Sequence, residues 1–420
     1  MPSKRDVTLL FATRITRLFA YGFLSVVLAL YLAQAGLSEG QIGALFTLTL
    51  IGDAALSLWM TTSADRLGRQ RMLLLGAGLM VIAGAIFALT GNFIVLLAAA
   101  IIGVISPSGN EIGPFLSIEQ AALSQLLPHE RRTHTFAWYN LAGSCATALG
   151  ALAGGFLAQT LQDLGLSPLA AYRNVLLGYA AAGVALILLF LKLTPAIEAN
   201  QASRASQSLR AFGLHRSRPI VMKLSALFAL DAFAGGFVIQ SMLAYWFFIK
   251  FGVTESTLGG IFFGANILAG MSALLAARLA ARFGLINTMV FTHIPSNVLL
   301  CLVPLMPSLP WAIGVLLVRF SISQMDVPTR QSYTMAVVAP DERSAAAGVT
   351  GIARSIGASL SPALAGLLLA NTAFISVPFL LAGGLKIVYD LLLYYSFKTL
   401  KPPEEGMMPL ANHKAQISSS

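Results

Sequence analysis

Apolar runs long enough to cross a bilayer follow one another along almost the whole chain, and this leaves few folds open. A transmembrane helix needs about 20 predominantly apolar residues to span a hydrocarbon core of about 30 Å. Twelve segments meet that requirement: 7–34, 41–61, 72–90, 93–127, 135–160, 172–193, 219–249, 256–281, 287–306, 309–338, 344–370 and 373–398, each bounded by Gly, Pro, Asn or charged residues. Strand-like alternation is absent, so a barrel is not expected. With 57% apolar and 10% charged residues, and a mean hydropathy of +0.78, the chain carries too little polar surface to cover a body folded in water, where about 25% charged residues is usual. The expected fold is all-α, a polytopic membrane protein of twelve transmembrane helices. The first run leads straight into further spans and therefore reads as a helix, not a cleaved signal.

Charge sets the expected orientation. The net charge of +10 comes from basic residues scattered between apolar spans, not gathered into a tract, which argues against a nucleic-acid partner. Arg66, Arg69, Arg71, Arg131, Arg132, Arg282 and Arg343 lie in even-numbered loops, with Lys4 and Arg5 before the first span and Lys398 and Lys401 after the last. The excess of positive charge on cytoplasmic loops then puts both termini in the cytoplasm of a multi-pass cell (inner) membrane protein. The most polar stretch, 194–218, divides the chain into an N-terminal six-helix bundle (1–193), a cytoplasmic linker (194–218), a C-terminal six-helix bundle (219–398) and a tail (399–420) expected to be disordered. Cys145 and Cys301 both sit in apolar runs, which excludes a disulfide framework and a multi-Cys metal site. No cofactor or metal is expected, and a monomer is.

The halves repeat. Phe19, Gly22, Phe23 and Tyr31 match Phe233, Gly236, Phe237 and Tyr245 at an offset of 214, and Gly36, Glu39, Gly43 and Phe46 match Gly252, Glu255, Gly259 and Phe262 at 216. Arg66 and Gly68 match Arg282 and Gly284, again at 216; Pro128, Glu130 and Arg131 match Pro340, Glu342 and Arg343 at 212, followed by Ala151–Gly154 against Ala363–Gly366. Parallel repeats imply a substrate site near the midplane between halves that rock about it.

The loop Ala64-Asp65-Arg66-Leu67-Gly68-Arg69-Gln70-Arg71 resembles the signature loop between spans 2 and 3 of the major facilitator superfamily, and the resemblance extends over all twelve spans. In that family the Asp and Arg of the loop help latch the halves in the outward-facing state. The resemblance assigns gating to Asp65, Arg66 and Arg69; Arg354 of span 11, read from its charge at membrane depth, is the expected partner of the Asp65 loop. Thr61 stands where the family usually has Gly. Gly150-Ala151-Leu152-Ala153-Gly154-Gly155 is similar to the family's antiporter motif, with Ala151 where Pro is usual; close helix packing through small residues accounts for the same pattern. The span-4 Arg usual in drug–proton antiporters has no counterpart.

Ionisable residues at membrane depth mark functional positions by default. They are Arg14 and Arg17 (span 1), Asp53 (span 2), Glu111 and Glu119 (span 4), Asp231 (span 7), Arg319, Asp326 and Arg330 (span 10), Arg354 (span 11), and Lys386 and Asp390 (span 12). Arg17 and Asp231 are repeat equivalents, each roughly 15–18 Å deep; they are expected to pair across the cavity or to form a static tie. The prolines and glycines of 106–114 predict a broken span 4, with Glu111 at the break as a proton carrier, and Glu119, two turns on, either a second carrier or a structural group. Glu111 neutralising a buried arginine is the alternative. Arg17, Arg14, Arg319, Asn110 and Tyr245 are the substrate-binding candidates. Asp326–Arg330 and Lys386–Asp390 read as structural i, i+4 pairs, and His293 with Asn297 as a satisfied core histidine.

The absence of a phosphate-binding Gly-Lys-Ser/Thr loop argues against ATP-driven transport. Together these features predict a secondary transporter of a small solute working by alternating access, coupled to protons through Glu111, Asp231 and Glu119. Export of drugs or metabolites is the first expectation, and proton-coupled import of an organic anion or metal chelate the second. A membrane enzyme or receptor is disfavoured by the short loops and the lack of clustered catalytic groups.

Overall fold

A computed structural model describes residues 2–110, 114–198, 214–339 and 341–400. The described residues form sixteen α-helices and no strand. They are α1 (Pro2–Ser25), α2 (Leu28–Gln34), α3 (Glu39–Leu67), α4 (Arg69–Leu89), α5 (Phe93–Ile102), α6 (Phe115–Leu126), α7 (His129–Asp163) and α8 (Pro168–Phe190) in the first half. The second half carries α9 (Arg218–Gly236), α10 (Gln240–Phe251), α11 (Glu255–Phe283), α12 (Leu285–Leu302), α13 (Leu309–Phe320), α14 (Asp326–Val337), α15 (Arg343–Leu369) and α16 (Val377–Phe397). Ten helical segments among these residues are long and apolar enough to cross a membrane; α5 and α13 are shorter apolar helices at the places of spans 4 and 10.

Spans 1, 4, 7 and 10 are therefore interrupted, and only the break in span 4 is apparent from residue types alone. There, Pro107, Gly109 at φ +67° and Pro114 separate α5 from α6. In span 10 the ring of Pro328 cannot tolerate a helical carbonyl four residues back, at Gln324, and α14 starts only at Asp326. In span 7 the pair Gly235-Gly236 precedes β-branched Val238 and Ile239, a run of low helix propensity. In span 1 the helix stops at Ser25, whose hydroxyl folds back onto the Gly22 carbonyl at 3.0 Å. The interruptions fall in repeat-related spans of both halves.

Within the halves, α1 packs on α7, α4 on α8, α9 on α15 and α12 on α16. Between the halves, α7 packs on α11 and α3 on α15. Small residues make these approaches possible. A Cβ added at Gly150 or Gly154 would run into the Phe19 or Phe23 backbone, one at Gly155 into the Glu255 carbonyl, and one at Gly366 into the Glu39 carbonyl. Gly155 against Gly259 and Gly366 against Gly43 are one crossing built twice by the repeat. Large apolar side chains such as Ile82, Ile94, Trp311, Leu367 and Tyr395 are exposed on the outside, a surface suited to acyl chains.

Carboxylates hold both ends of the linker. Glu198 accepts the Arg69 and Gln70 amides at the start of α4, at 2.8 and 3.1 Å. Glu342 accepts the amides of His215, Arg216 and Ser217 at 2.7, 2.7 and 2.9 Å, and these three bonds hold its carboxyl down to about 2. Most of the expected linker (199–213) and nearly all of the tail (401–420) lie outside the described residues.

Candidate functional site

Two buried ionic networks occupy repeat-related places. In the first half, Arg17 on α1 donates through both terminal nitrogens to Glu119 on α6, at 2.8 and 2.7 Å, with both side chains fully buried. Thr13 Oγ1 (2.8 Å) and the Tyr139 hydroxyl of α7 donate to the same carboxylate, and Phe115 lies 4.7 Å beneath the guanidinium. A bidentate pair with further donors is the arrangement that offsets the desolvation cost of two ions. Arg14, one turn earlier, donates to Asn140 at 3.2 Å and stacks on Tyr139 at 4.4 Å.

In the second half the charges are exchanged. Asp231 on α9 accepts Arg330 of α14 at 2.8 Å and Lys386 of α16 at 2.5 Å. Arg330 also approaches Asp326 at 3.4 Å, and Asp390, one turn from Lys386, binds His293 (2.8 Å) and Asn297 (3.0 Å) of α12. Span 1 is tied to span 4 by Arg–Glu, and span 7 to span 10 by Asp–Arg.

The expected pairing of Arg17 with Asp231 is therefore not formed: each finds its partner within its own half. The repeat does place them equivalently, but the carboxylate that Arg17 reaches is Glu119, about one turn into α6 past the span-4 break. Glu119 accordingly stands as the counter-ion of Arg17, and Glu111, expected at the break itself, lies outside the described residues. Asn110 is exposed beside it, its carbonyl accepting the Ser106 hydroxyl at 2.9 Å. Arg319 is half-buried, stacked on Phe320 at 4.8 Å and within electrostatic reach of Asp326.

A polar layer joins the halves at the end remote from the termini. Gln240 and Ser241 donate to the Ser25 hydroxyl and carbonyl, both at 2.7 Å, and the Ser241 amide donates to the Pro107 carbonyl at 3.0 Å. These contacts use the backbone freed by the breaks in spans 1, 4 and 7. Further out, Tyr245 donates to Glu39 at 2.9 Å, while the Tyr172 hydroxyl and Gln162 (3.0 Å) donate to Glu255. Glu39 and Glu255 are repeat equivalents, so each half offers a carboxylate to a tyrosine of the other. Tyr245 thus belongs to this seal and is held away from the role of a free cavity wall.

At the opposite end the signature loop binds its own half. Asp65 accepts Arg69 at 2.9 Å, and Arg69 reaches the Ile197 carbonyl and Gln125 at 3.0 and 3.1 Å. Arg66 is exposed, and Thr61, at the position where the resembled family usually has Gly, shares a hydrogen bond with Ser117 at 2.9 Å. Arg354 does not join this loop: it lies within electrostatic reach of Arg330, Asp231 and Asp326. Tyr139, Tyr172 and the capping acids Glu198 and Glu342 escape a reading by residue type, and Lys386, expected to pair with Asp390, binds Asp231 instead, leaving Asp390 to His293 and Asn297. The repeat of Glu39 at Glu255 is the one sequence signal that points to the seal.

Comparison with known proteins agrees with this architecture. The family model described as Major Facilitator Superfamily matches residues 10–362 and 250–409. The chain is 30% identical over 425 residues to the Saccharomyces cerevisiae protein described as uncharacterized membrane protein YJR124C, covering 94% of each. It is 27% identical to the Escherichia coli purine ribonucleoside efflux pump NepI over 60% of this chain and 59% of that one. Among solved structures, the nucleoside transporter NupG superposes with a TM-score of 0.74 at 15% identity, covering 93% of this chain and 99% of that one. A bacterial homologue of the lysosomal transporter Spinster, inward-facing and occupied, superposes with 0.71 at 17% identity over 94% and 96%. With two repeat-related ionic networks beneath an inter-half seal, and a family match running along the chain, this protein belongs to the major facilitator superfamily, a family of multi-pass transporters of small solutes.

Proposed function

We propose that the chain is a proton-coupled secondary transporter of the cell membrane, with cytoplasmic termini, that exports a small solute. The observation that carries the coupling is the placement of a buried carboxylate–cation pair on spans 1 and 4, and its charge-exchanged counterpart on spans 7 and 10. A proton arriving at Glu119 or Asp231 releases a cation that must find a new partner, and the interrupted helices beside them can re-pack as it does. Glu111 is proposed as a third carrier on its sequence position. Export is supported by the similarity to NepI and to the Staphylococcus aureus quinolone resistance protein NorA, the latter 25% identical over 33% of this chain. With the seal at the end remote from the termini, the structure corresponds in this reading to an inward-facing state.

The test is solute movement in proteoliposomes under an imposed pH gradient, before and after Glu119→Gln and Asp231→Asn. Loss of gradient-driven movement with exchange retained is expected in at least one variant; unchanged driven movement in both would remove these carboxylates from coupling. The sense of the gradient that drives accumulation separates export from import.

A further inference from the structure

Charge within the second half does not balance, and the surplus lies with Arg319 and Arg354, the two arginines at membrane depth there without an ion pair. Arg330 is shared by Asp231 and Asp326, Lys386 is bound to Asp231, and Asp390 is occupied by His293 and Asn297. Arg319 and Arg354 make no hydrogen bond or ion pair among the described residues, and each has a buried Nε without a partner. Arg319 is stacked on Phe320 and drawn to Asp326, whereas Arg354 is repelled by Arg330 and meets Asp231 and Asp326 only at a distance, both already engaged by Arg330. A cation at membrane depth without a counter-ion is costly, and it is kept where an anion meets it in some part of the cycle.

The surroundings of Arg354 on α15 show where that anion enters. At 100° per residue the helix has a buried face marked by Ala346, Thr350 and Gly357. Its exposed sweep has two parts. Ile352, Ile356 and Leu360 form a large-residue face suited to lipid, with Ile356 roughly 160° round the helix from Arg354. Gly348, Gly351 and Ser355 form a small, exposed face, with open space where a Cβ at Gly348 or Gly351 would stand. Arg354 sits between the buried face and this second one, on the side of the helix turned away from Ile356 and beside the open space at Gly351.

We infer that Arg354 is the solute-binding cation of the second half, and that the transported solute is an organic anion whose carboxylate or phosphate it takes up. This deepens the proposed transport function and rests on it. The inference also shifts the anion-binding role from Arg17, which Glu119 neutralises, to an arginine that lacks an ion pair and stands beside open space.

Proteoliposomes with the full-length protein, under a pH gradient of either sense, are incubated with an aqueous cell extract. Accumulated solutes are then fractionated by anion exchange. Solutes enriched over protein-free vesicles should be retained as acids. Arg354→Gln should lower their accumulation by about tenfold or more, and Arg354→Lys should retain part of it. Gly351→Asp, which supplies a counter-ion one turn away while leaving Arg354 in place, should reproduce the loss in a protein that elutes as wild type does on gel filtration. Enrichment of neutral or cationic solutes overturns the inference, as does accumulation of acids that is indifferent to both Arg354→Gln and Gly351→Asp. That indifference is also the result if Arg354 is neutralised by a lipid phosphate. No enrichment at all would instead contradict the transport reading beneath it.

Discussion

The bond between Arg17 and Glu119 shows what a buried charge requires in this protein. Each ion would cost several kcal/mol alone, and together they are held by two charge-assisted bonds plus the Thr13 and Tyr139 hydroxyls. Glu119→Ala should therefore lower stability by on the order of 3–5 kcal/mol in detergent melts, while Arg17→Met with Glu119→Leu should recover most of it and abolish coupling. Arg17→Ala and Asp231→Ala, which act in separate networks, should add to within about 0.5 kcal/mol; strong non-additivity would revive a direct pairing across the cavity. Outside the membrane, Glu342 holds the amides at 215–217. Its folded carboxyl, at about 2, lies below an unfolded value of about 4.3, so its contribution is present above that value and is lost as pH falls toward 2. Hydrogen exchange at His215–Ser217, relative to intrinsic rates, should rise over that window and already be high at neutral pH in Glu342→Gln; equal exchange in both proteins would refute the capping role. Residue type and depth make the charged positions legible in the sequence. Partner choice is not legible, because whether Arg17 meets Glu119 or Asp231 depends on how far past the break α6 resumes.

Interrupted helices separate the working spans from the scaffold. The Pro- and Gly-rich break in span 4 can be read directly from 106–114. Those in spans 1 and 7 rest on Ser25 and on a Gly-Gly pair, weak local signals that tertiary bonds to Gln240 and Ser241 turn into breaks. The span-5 motif likewise has a visible structural use, since Gly150 and Gly154 admit span 1 and Gly155 admits span 8. A side chain at that crossing must force the halves apart. Gly155→Val, or Gly366→Val at the matching crossing of α15 with α3, should raise the labelling rate of a cysteine placed at Ser25 from the side remote from the termini by about tenfold, with the fold retained. Unchanged labelling in both would show that this crossing does not hold the seal.

For the whole molecule, the duplication legible at offsets of 212–216 carries its consequence in the two carboxylate–tyrosine contacts across the halves, Glu39 with Tyr245 and Glu255 with Tyr172. Each contributes modestly, about 1.5–3 kcal/mol for a hydrogen bond to a charged group, so together they can bias a two-state equilibrium without locking it. Tyr172→Phe with Tyr245→Phe should populate the state open at the remote end more than either single variant, read from the same cysteine labelling. The central claim is that two repeat-related halves exchange access about networks that stay within each half. Spin-label distances test it most directly, with Cys145 and Cys301 replaced by Ala. One pair is placed at Leu67 and Phe283 on the terminal side, and another at Leu164 and Phe374 on the remote side, all four exposed. The account predicts two populations at each pair that shift in opposite senses when pH is changed or the tyrosine variants are introduced. A single distance at both pairs under every condition, or distances that lengthen together, would contradict it.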